Sequence, residues 1–126
     1  MKKLTPILFV DAIEPCLPFW VERLGFAKAA EVPHEGRLGF VILVKNGLEL
    51  MYQTWDSAAA DVSGATQRTT GRSAALYFEV ESIDAVETAL WGVEIVHLRR
   101  KASYGATEIF AREPGGHVVG FGQPDP

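Results

Sequence analysis

The chain has 126 residues, of which 48% are hydrophobic and 22% are charged, the balance of one ordinary globular domain and not of a disordered chain. Twelve Lys and Arg residues against sixteen Asp and Glu give a net charge of −4, which argues against nucleic acid as a partner because nucleic-acid-binding domains are usually basic. A single cysteine, Cys16, excludes an internal disulfide and a cysteine-rich zinc site, and we expect it to be a small buried hydrophobe.

The first half of the chain has the pattern of a strand, a helix and three more strands. These elements are predicted over residues 5–10, 15–24, 26–32, 38–44 and 48–54. Apolar residues at helical spacing support the helix, which ends at Gly25, but Pro18 lacks the backbone donor that a regular turn needs. The pair Asn46-Gly47 is a strong signal for a tight hairpin between the last two strands.

The stretch over residues 55–73 is rich in Ala, Ser, Thr and Gly and shows no clear period. We expect a connecting loop of unusual length here, and long loops in compact domains are often functional or mobile. This linker divides one domain, residues 1–126, into a first module over about residues 4–54 and a second over about residues 74–123.

The second half repeats the plan of the first. A strand, a helix and three strands are predicted over residues 75–80, 83–90, 93–98, 106–112 and 117–122. Ser82 is a suitable N-cap for the helix, which ends before Gly92. The run Arg99-Arg100-Lys101 is expected to be a solvated basic turn after the second of these strands.

A short sequence match indicates that the two halves are duplicates. The stretches VDAIE, at residues 10–14, and VESID, at residues 80–84, lie 70 positions apart. In each, an apolar run ends in an acid, a small residue, an isoleucine and another acid, and a helical pattern follows. Self-similarity at a fixed offset is typical of a duplicated supersecondary unit. The sequence therefore predicts an α+β fold made of two βαβββ modules, with a mixed sheet and its helices on one side.

Three stretches, together with the duplicated order, resemble the vicinal oxygen chelate superfamily, which includes glyoxalase I, bleomycin-resistance proteins and extradiol dioxygenases. The stretches are FWVERLGF at residues 19–26, GLELMYQ at residues 47–53 and YGATEIFAREPGGHVVGF at residues 104–121. The resemblance covers nearly the whole chain and is strongest toward the short bleomycin-resistance-like group. It implies the glyoxalase/bleomycin-resistance fold, in which two modules form a cupped mixed sheet around a cavity, and pairing as a homodimer.

Enzymes of this superfamily hold a divalent metal with four side chains, two from each module. The resemblance places these positions at Thr5, Glu49, Ala75 and Gly120. Only Glu49 is a competent ligand, since alanine and glycine carry no donor atom and threonine is a poor ligand, whereas a metal site needs three or four converging donors. We therefore expect no metal and no other cofactor.

The three histidines, His34, His97 and His117, show no shared metal-ligand spacing and are expected to be solvated or to lie at the edge of the core. A ligand set of His97, His117 and Glu49 stays open only if the predicted strand faces are wrong. Glu49 allows two interpretations, an exposed or salt-bridged relic of an ancestral ligand or a carboxylate that pairs with a cationic ligand. Because no nucleophile motif, phosphate-binding loop or dinucleotide-binding fingerprint is present, no catalytic residue is assigned.

Strand alternation places aromatic and methionine side chains on the face that would line the cavity. Such residues are often plain core, but an apolar pocket with a few polar groups is also the usual composition of a small-molecule site. The candidate ligand-binding residues are Phe9, Phe40, Glu49, Met51, Gln53, Trp55, Tyr77, Tyr104 and Glu108. Glu79 and Glu108 are expected to add negative charge at the rim of this cavity.

These observations favour metal-independent binding of a small aromatic or cationic molecule by a homodimeric, bleomycin-resistance-like protein that sequesters its ligand. The resemblance suggests bleomycin-type glycopeptides, and hence antibiotic resistance, as one such case. Two alternatives stay open: a metal-dependent lyase or dioxygenase of the glyoxalase type, and a scaffold for dimerisation or partner binding. Whether the cavity forms within one chain or across two is also open. No signal peptide or long apolar run is apparent, so we expect a cytoplasmic protein without a membrane partner.

Overall fold

A computed structural model of the protein describes residues 1–64 and 66–126. The chain divides into two compact units, Met1–Thr70 and Gly71–Pro126. Each unit contains one four-stranded sheet with both parallel and antiparallel pairs, accompanied by short helical segments. The predicted α+β class and the repeated order of elements are therefore confirmed.

The first unit is built on a sheet with the strand order β1-β4-β3-β2. Its strands are β1 (Ile7–Val10), β2 (Ala27–His34), β3 (Arg37–Lys45) and β4 (Leu48–Thr54). β1 runs parallel to β4, and the other pairs are antiparallel. The hairpin between β3 and β4 turns at the predicted pair, where Asn46 and Gly47 have φ values of 49° and 80°, as a turn with two left-handed residues requires.

The helix predicted over residues 15–24 consists of two irregular turns instead of one α-helix. A 3₁₀ turn spans Glu14–Cys16, and a π-helical turn spans Pro18–Arg23. Pro18 has no backbone N–H, so the first turn cannot continue through it as a regular α-helix. Cys16 is buried, as expected for a small hydrophobe.

The loop predicted over residues 55–73 is wrong in its first part, because Trp55–Asp61 forms a helix, α1. The Thr54 hydroxyl caps this helix by accepting a hydrogen bond from the Ser57 backbone N–H at 3.1 Å. Three consecutive alanines then favour the helical conformation. The helix has only seven residues, too few to show a period in a Ser- and Ala-rich stretch.

The core of the first unit lies on one face of its sheet. Trp20 is fully buried there, and its indole N–H donates to the Tyr52 hydroxyl at 2.8 Å. The edges of two neighbouring rings meet the Trp20 ring, with centroid distances of 5.0 Å to Phe19 and 5.2 Å to Phe26. Because this face takes the large side chains of the helical turns, the opposite face of the sheet is left for α1.

The second unit repeats the arrangement with the strand order β5-β8-β7-β6. Its elements are β5 (Leu76–Glu79), α2 (Ile83–Ala89), β6 (Glu94–Ala102), β7 (Ala106–Arg112) and β8 (Val118–Pro124). β5 runs parallel to β8. Ser82 caps α2 as predicted, since its hydroxyl accepts from the Ala85 N–H at 3.1 Å. Ile83, Leu90, Ile109, Val119 and Phe121 are buried.

The basic turn predicted at Arg99-Arg100-Lys101 is wrong, since these residues continue strand β6. β6 is an edge strand, and charged side chains are common on edge strands because they discourage pairing with other chains. Arg100 also has a partner across the sheet, which is described below.

Among the described residues, no helix is long and apolar enough to cross a membrane.

Candidate functional site

The face of the first sheet that does not carry the core opens into a cleft of about 850 Å³. β3 and β4 supply its floor, and β1, α1 and the end of β2 supply its walls. Its lining is mostly apolar, and the residues that line it are Ile7, Phe9, Val32, Pro33, His34, Phe40, Gln53, Ser57, Ala58, Ala60, Asp61 and Val62. Size and composition are those of a small-molecule site.

Aromatic rings give one wall of the cleft a fixed position. The Phe9 ring stacks on Trp55, the first residue of α1, with centroids 5.5 Å apart and an interplanar angle of 24°. The Arg68 guanidinium lies over the Trp55 ring, 5.9 Å from its centroid. Arg68 also pairs with Asp11 and, at 3.8 Å, with Asp56. The wall is therefore connected to both β1 and α1.

A polar end of the cleft is formed by His34, Gln53 and Ser57. The pairing of β2 with β3 is irregular here, since Val32 faces Phe40 while Pro33 faces Leu38, and Gly39 lies between them. A Cβ at Gly39 would lie 2.5 Å from the His34 Cβ and 3.1 Å from the Ser57 Oγ. Only glycine leaves this space, so Gly39 lets His34 and Ser57 both lie close to the backbone of β3. The Gln53 side-chain N–H donates to the Ser57 Oγ at 3.2 Å.

Three of the predicted ligand-binding residues, Phe9, Phe40 and Gln53, line this cleft. Trp55 is buried and contacts the cleft wall through Phe9. Met51 lies on the same strand as Gln53 and pairs with Ile7, but it is not among the lining residues. As ligand-binding residues they all stay predictions.

Glu49 lies apart from the aromatic cleft, in a shallow depression of about 430 Å³ that Lys3 and Lys45 also line. Its carboxylate accepts from the Lys3 ammonium at 3.0 Å and from the Thr5 hydroxyl at 3.1 Å. The hydrogen bond from Lys3 is the main cause that lowers the Glu49 pKa. Glu49 is thus already salt-bridged, which agrees with the first of the two interpretations above.

In the second unit, the remaining predicted residues meet in a polar cluster that we call the Glu108 cluster (Tyr77, Arg100, Tyr104 and Glu108). Glu108 is fully buried. One carboxylate oxygen accepts from the Arg100 Nε at 2.9 Å and Nη2 at 2.7 Å, and the other accepts from the Tyr77 hydroxyl at 2.8 Å and from the Tyr104 hydroxyl. The expectation that Glu108 adds free negative charge is therefore wrong, because Arg100 neutralises it.

The contacts of the cluster shift the pKa values of its members. The hydrogen bond from Tyr104, with those from Arg100 and Tyr77, lowers the Glu108 pKa against the effect of burial. Partial removal from water and the hydrogen bond to Glu108 raise the pKa of Tyr77 to about 12. The bond to Glu108 likewise raises the Tyr104 pKa. The folded state thus favours an ionised Glu108 and two neutral phenols.

The donor set that the superfamily uses for a metal does not fit this chain. Glu49 is held by Lys3 and Thr5. At Gly120, a Cβ would lie 2.6 Å from a Phe110 ring carbon and 2.9 Å from a Tyr77 ring carbon, so there is no room for a ligand side chain. Within residues 1–64 and 66–126, no three His, Cys, Asp or Glu side chains are grouped as metal ligands.

The histidines occupy three different environments. His117 is buried in the β7–β8 hairpin, where its Nδ1 lies 2.8 Å from a Glu113 carboxylate oxygen that also accepts from the His117 backbone N–H. His97 is exposed on β6. His34 lines the cleft, where sequence reasoning treated it as a solvated or core-edge residue. The sequence does not indicate Ser57 and Asp61 either, because they lie on α1, where it predicts a loop.

No protein-family model matches the sequence, and neither does any curated protein. Solved structures match the fold over nearly the whole chain. A glyoxalase/bleomycin resistance protein/dioxygenase family enzyme from Burkholderia phytofirmans has a TM-score of 0.79 at 14% identity, covering 95% of this chain and 96% of its own. A glyoxalase/bleomycin resistance protein/dioxygenase from Nocardioides has a TM-score of 0.75 at 16% identity, covering 99% and 85%.

A lactoylglutathione lyase from Agrobacterium tumefaciens has a TM-score of 0.71 at 16% identity, covering 98% of this chain and 94% of its own. At such identities the likeness establishes the fold. The protein therefore has the glyoxalase/bleomycin-resistance fold, as the sequence resemblance implied.

Proposed function

We propose that the protein binds a small, flat, largely apolar molecule in the cleft of its first unit and sequesters it without a metal ion. One observation carries this proposal: the open face of the first sheet forms a cleft of about 850 Å³ with Phe9 and Phe40 among its lining residues. Apolar surface buried by a ligand there supplies the main driving force, at roughly 25 cal/mol per Å² before the costs of association.

The charges in the molecule favour an aromatic ligand over a strongly cationic one. Two acidic residues expected to meet a cation, Glu49 and Glu108, are held by Lys3 and Arg100 respectively. Among the described residues that line the cleft, Asp61 is the one carboxylate, and no lysine or arginine is present. The single carboxylate disfavours an anion, and because it is exposed it offers little to a polycation, so a neutral compound suits the cleft better than a polycationic glycopeptide of the bleomycin type.

Binding is tested by calorimetric titration of the whole protein with 2-methylnaphthalene, comparing two variants of α1. Ala60 and Ala59 are both exposed on this helix, but only Ala60 lines the cleft. The proposal predicts that Ala60→Phe fills the cleft and weakens binding at least about tenfold, and that the matched control Ala59→Phe binds like the wild type. Failure of the wild type to bind, or equal binding by both variants, would refute the cleft as the site.

The metal-dependent alternative is tested separately by the metal content of the purified protein after incubation with nickel, zinc, iron or manganese and removal of excess ion. Binding without a metal predicts no stoichiometric retention, because the four expected ligand positions offer one carboxylate. Stoichiometric metal that survives in Glu49→Gln would show a site elsewhere. Stoichiometric metal that is lost in that variant would move a glyoxalase-type lyase or dioxygenase to first place.

Homodimer formation also stays part of the proposal. Symmetric pairing is common among homo-oligomeric proteins, and the resemblance implies it here. Light scattering during size-exclusion chromatography decides between a 13.8 kDa monomer and a particle of twice that mass.

A further inference from the structure

The polar end of the cleft (His34, Gln53 and Ser57) carries hydrogen-bonding groups that an entirely apolar ligand would leave unused. Two of its members form a side-chain pair, since the Gln53 amide donates to the Ser57 Oγ at 3.2 Å. Both line the cleft. This pair rests on β4 and α1, and its position depends on Gly39, where any Cβ would lie 3.1 Å from the Ser57 Oγ.

The hydrogen-bonding capacity of this pair is only partly used. With the Ser57 oxygen accepting from Gln53, the Ser57 hydroxyl still has one proton to donate, and the Gln53 carbonyl still accepts. No hydrogen bond from the Ser57 hydroxyl is made within residues 1–64 and 66–126. If the Gln53 amide turns over, the Ser57 hydroxyl donates to the Gln53 carbonyl, and the Gln53 NH₂ and the Ser57 oxygen are then left as donor and acceptor for a ligand. In either orientation the pair offers one donor and one acceptor side by side.

We propose that Gln53 and Ser57 are specificity-determining residues that select a neutral aromatic ligand carrying a group that both donates and accepts a hydrogen bond, such as a phenolic hydroxyl. This inference rests on the proposed binding function and adds the chemical class of the ligand. Phe9 and Phe40 contact the ring, while the pair binds the polar group. Asp61 lines the same cleft, and no lysine or arginine is among the described lining residues. An aromatic carboxylate is therefore disfavoured, because its charge would be repelled and not paired.

A matched set of probes separates this inference from the binding function itself. The probes are 2-naphthol, which both donates and accepts, 2-methylnaphthalene, which does neither, and 2-naphthoate, which is anionic. Each is titrated calorimetrically at pH 7 into the wild type, Ser57→Ala, Gln53→Met and the control Ser103→Ala, in which an exposed serine outside the cleft is changed.

The wild type and Ser103→Ala are expected to bind 2-naphthol about three- to tenfold more tightly than 2-methylnaphthalene, the usual effect of one hydrogen bond, and to bind 2-naphthoate most weakly. Ser57→Ala and Gln53→Met should lose this preference, measured within each variant as the ratio of the dissociation constants for the two neutral probes. Equal binding of both neutral probes by the wild type, or a preference that survives in both variants, would overturn the inference while leaving the binding function intact. If no probe binds the wild type, the binding function itself fails.

Discussion

The two units use the same strand order but treat the corresponding sheet face in opposite ways. In the first unit, Ile7 on β1 pairs with Met51 on β4, and the face opens into a cleft. In the second, Tyr77 on β5 pairs with Gly120 on β8, and the Tyr77 ring lies against that glycine. Its hydroxyl thereby reaches Glu108. By strand register Gly120 stands in the place of Met51 and not, as the resemblance implied, of Glu49, and it lets a phenol cross the strand to a buried carboxylate.

This difference shows how one duplicated plan can yield an open cleft, which we propose as a binding surface, in one copy and a polar network in the other. The Glu108 cluster satisfies a buried carboxylate with one guanidinium and two phenols, an arrangement that is costly to disturb once formed. The cleft, by contrast, has apolar walls and hydrogen-bonding groups that a ligand can still use. The following changes break or sharpen that contrast, beginning with the largest expected effect.

The first prediction is that Arg100→Ala destabilises the protein strongly, because it leaves the buried Glu108 charge with two phenols as its partners. We expect the Tm to fall by roughly 5–10 °C. Arg99→Ala is the control on the same strand. Arg99 pairs with Asp84 at 2.5 Å and Glu87 at 3.6 Å near the surface, and its loss should lower the Tm by less than about 2 °C. Equal shifts for the two variants in calorimetry would show that the Glu108 cluster is not structural.

The second prediction exchanges the residues that distinguish the two faces. Gly120→Met places a side chain where Phe110 and Tyr77 already lie, and should lower the free energy of unfolding by about 1–3 kcal/mol. Met51→Gly removes a half-buried side chain from a strand and should lower it by about 1 kcal/mol. Urea denaturation measures both. A neutral Gly120→Met variant would mean that the tight packing over Gly120 is not required.

The third prediction concerns pH and follows from the raised Tyr77 pKa of about 12. The unfolded tyrosine loses its proton near pH 10, whereas the folded one keeps it, so the folded state binds more protons in this range. The stability that Tyr77 contributes is fully present below about pH 10 and declines as the pH rises toward 12. Urea midpoints between pH 9 and pH 11.5 should fall less steeply in Tyr77→Phe than in the wild type, and parallel curves would contradict the assignment.

The smallest expected effect belongs to Arg68→Ala in the first unit. Arg68 lies over Trp55 and pairs with Asp11 and Asp56, but its side chain is 57% exposed, so we expect a loss below about 1 kcal/mol in urea denaturation. A change in tryptophan fluorescence should accompany it, since Arg68 contacts the Trp55 ring. A loss as large as that of Arg100→Ala would show that the cleft wall depends on a buried network after all.

Strand alternation was enough to predict which faces Phe9, Phe40 and Gln53 would occupy, because the period of two is fixed by backbone geometry. The polar partners could not be predicted in the same way. Ser57 lies on a short helix whose N-terminus is capped by one side-chain hydrogen bond, from the Ser57 N–H to the Thr54 hydroxyl. Gly39 derives its importance from an irregular strand pairing that leaves no local sequence signal.

The role of Glu108 shows a second limit of sequence reasoning. Its partners Tyr77, Arg100 and Tyr104 lie on β5, on β6 and between β6 and β7, so the cluster exists only after the sheet has formed. Because the sequence predicts a solvated turn at Arg100, it gives no indication that Arg100 pairs with Glu108. Glu49 was predicted more completely, since the salt-bridged interpretation was one of the two stated, although Lys3 as its partner was not foreseen.

The claim that the first unit carries the binding site is tested most directly by ¹H–¹⁵N correlation spectra of the protein during titration with 2-naphthol. The account predicts that saturable shifts concentrate on the strands β1, β3 and β4 and on α1, including the backbone amides of Phe40, Gln53 and Ser57. It also predicts that Ala60→Phe moves the midpoint of these shifts to a ligand concentration at least about tenfold higher. Shifts concentrated around Tyr77 and Tyr104 instead, or none at ligand saturation, would contradict the account.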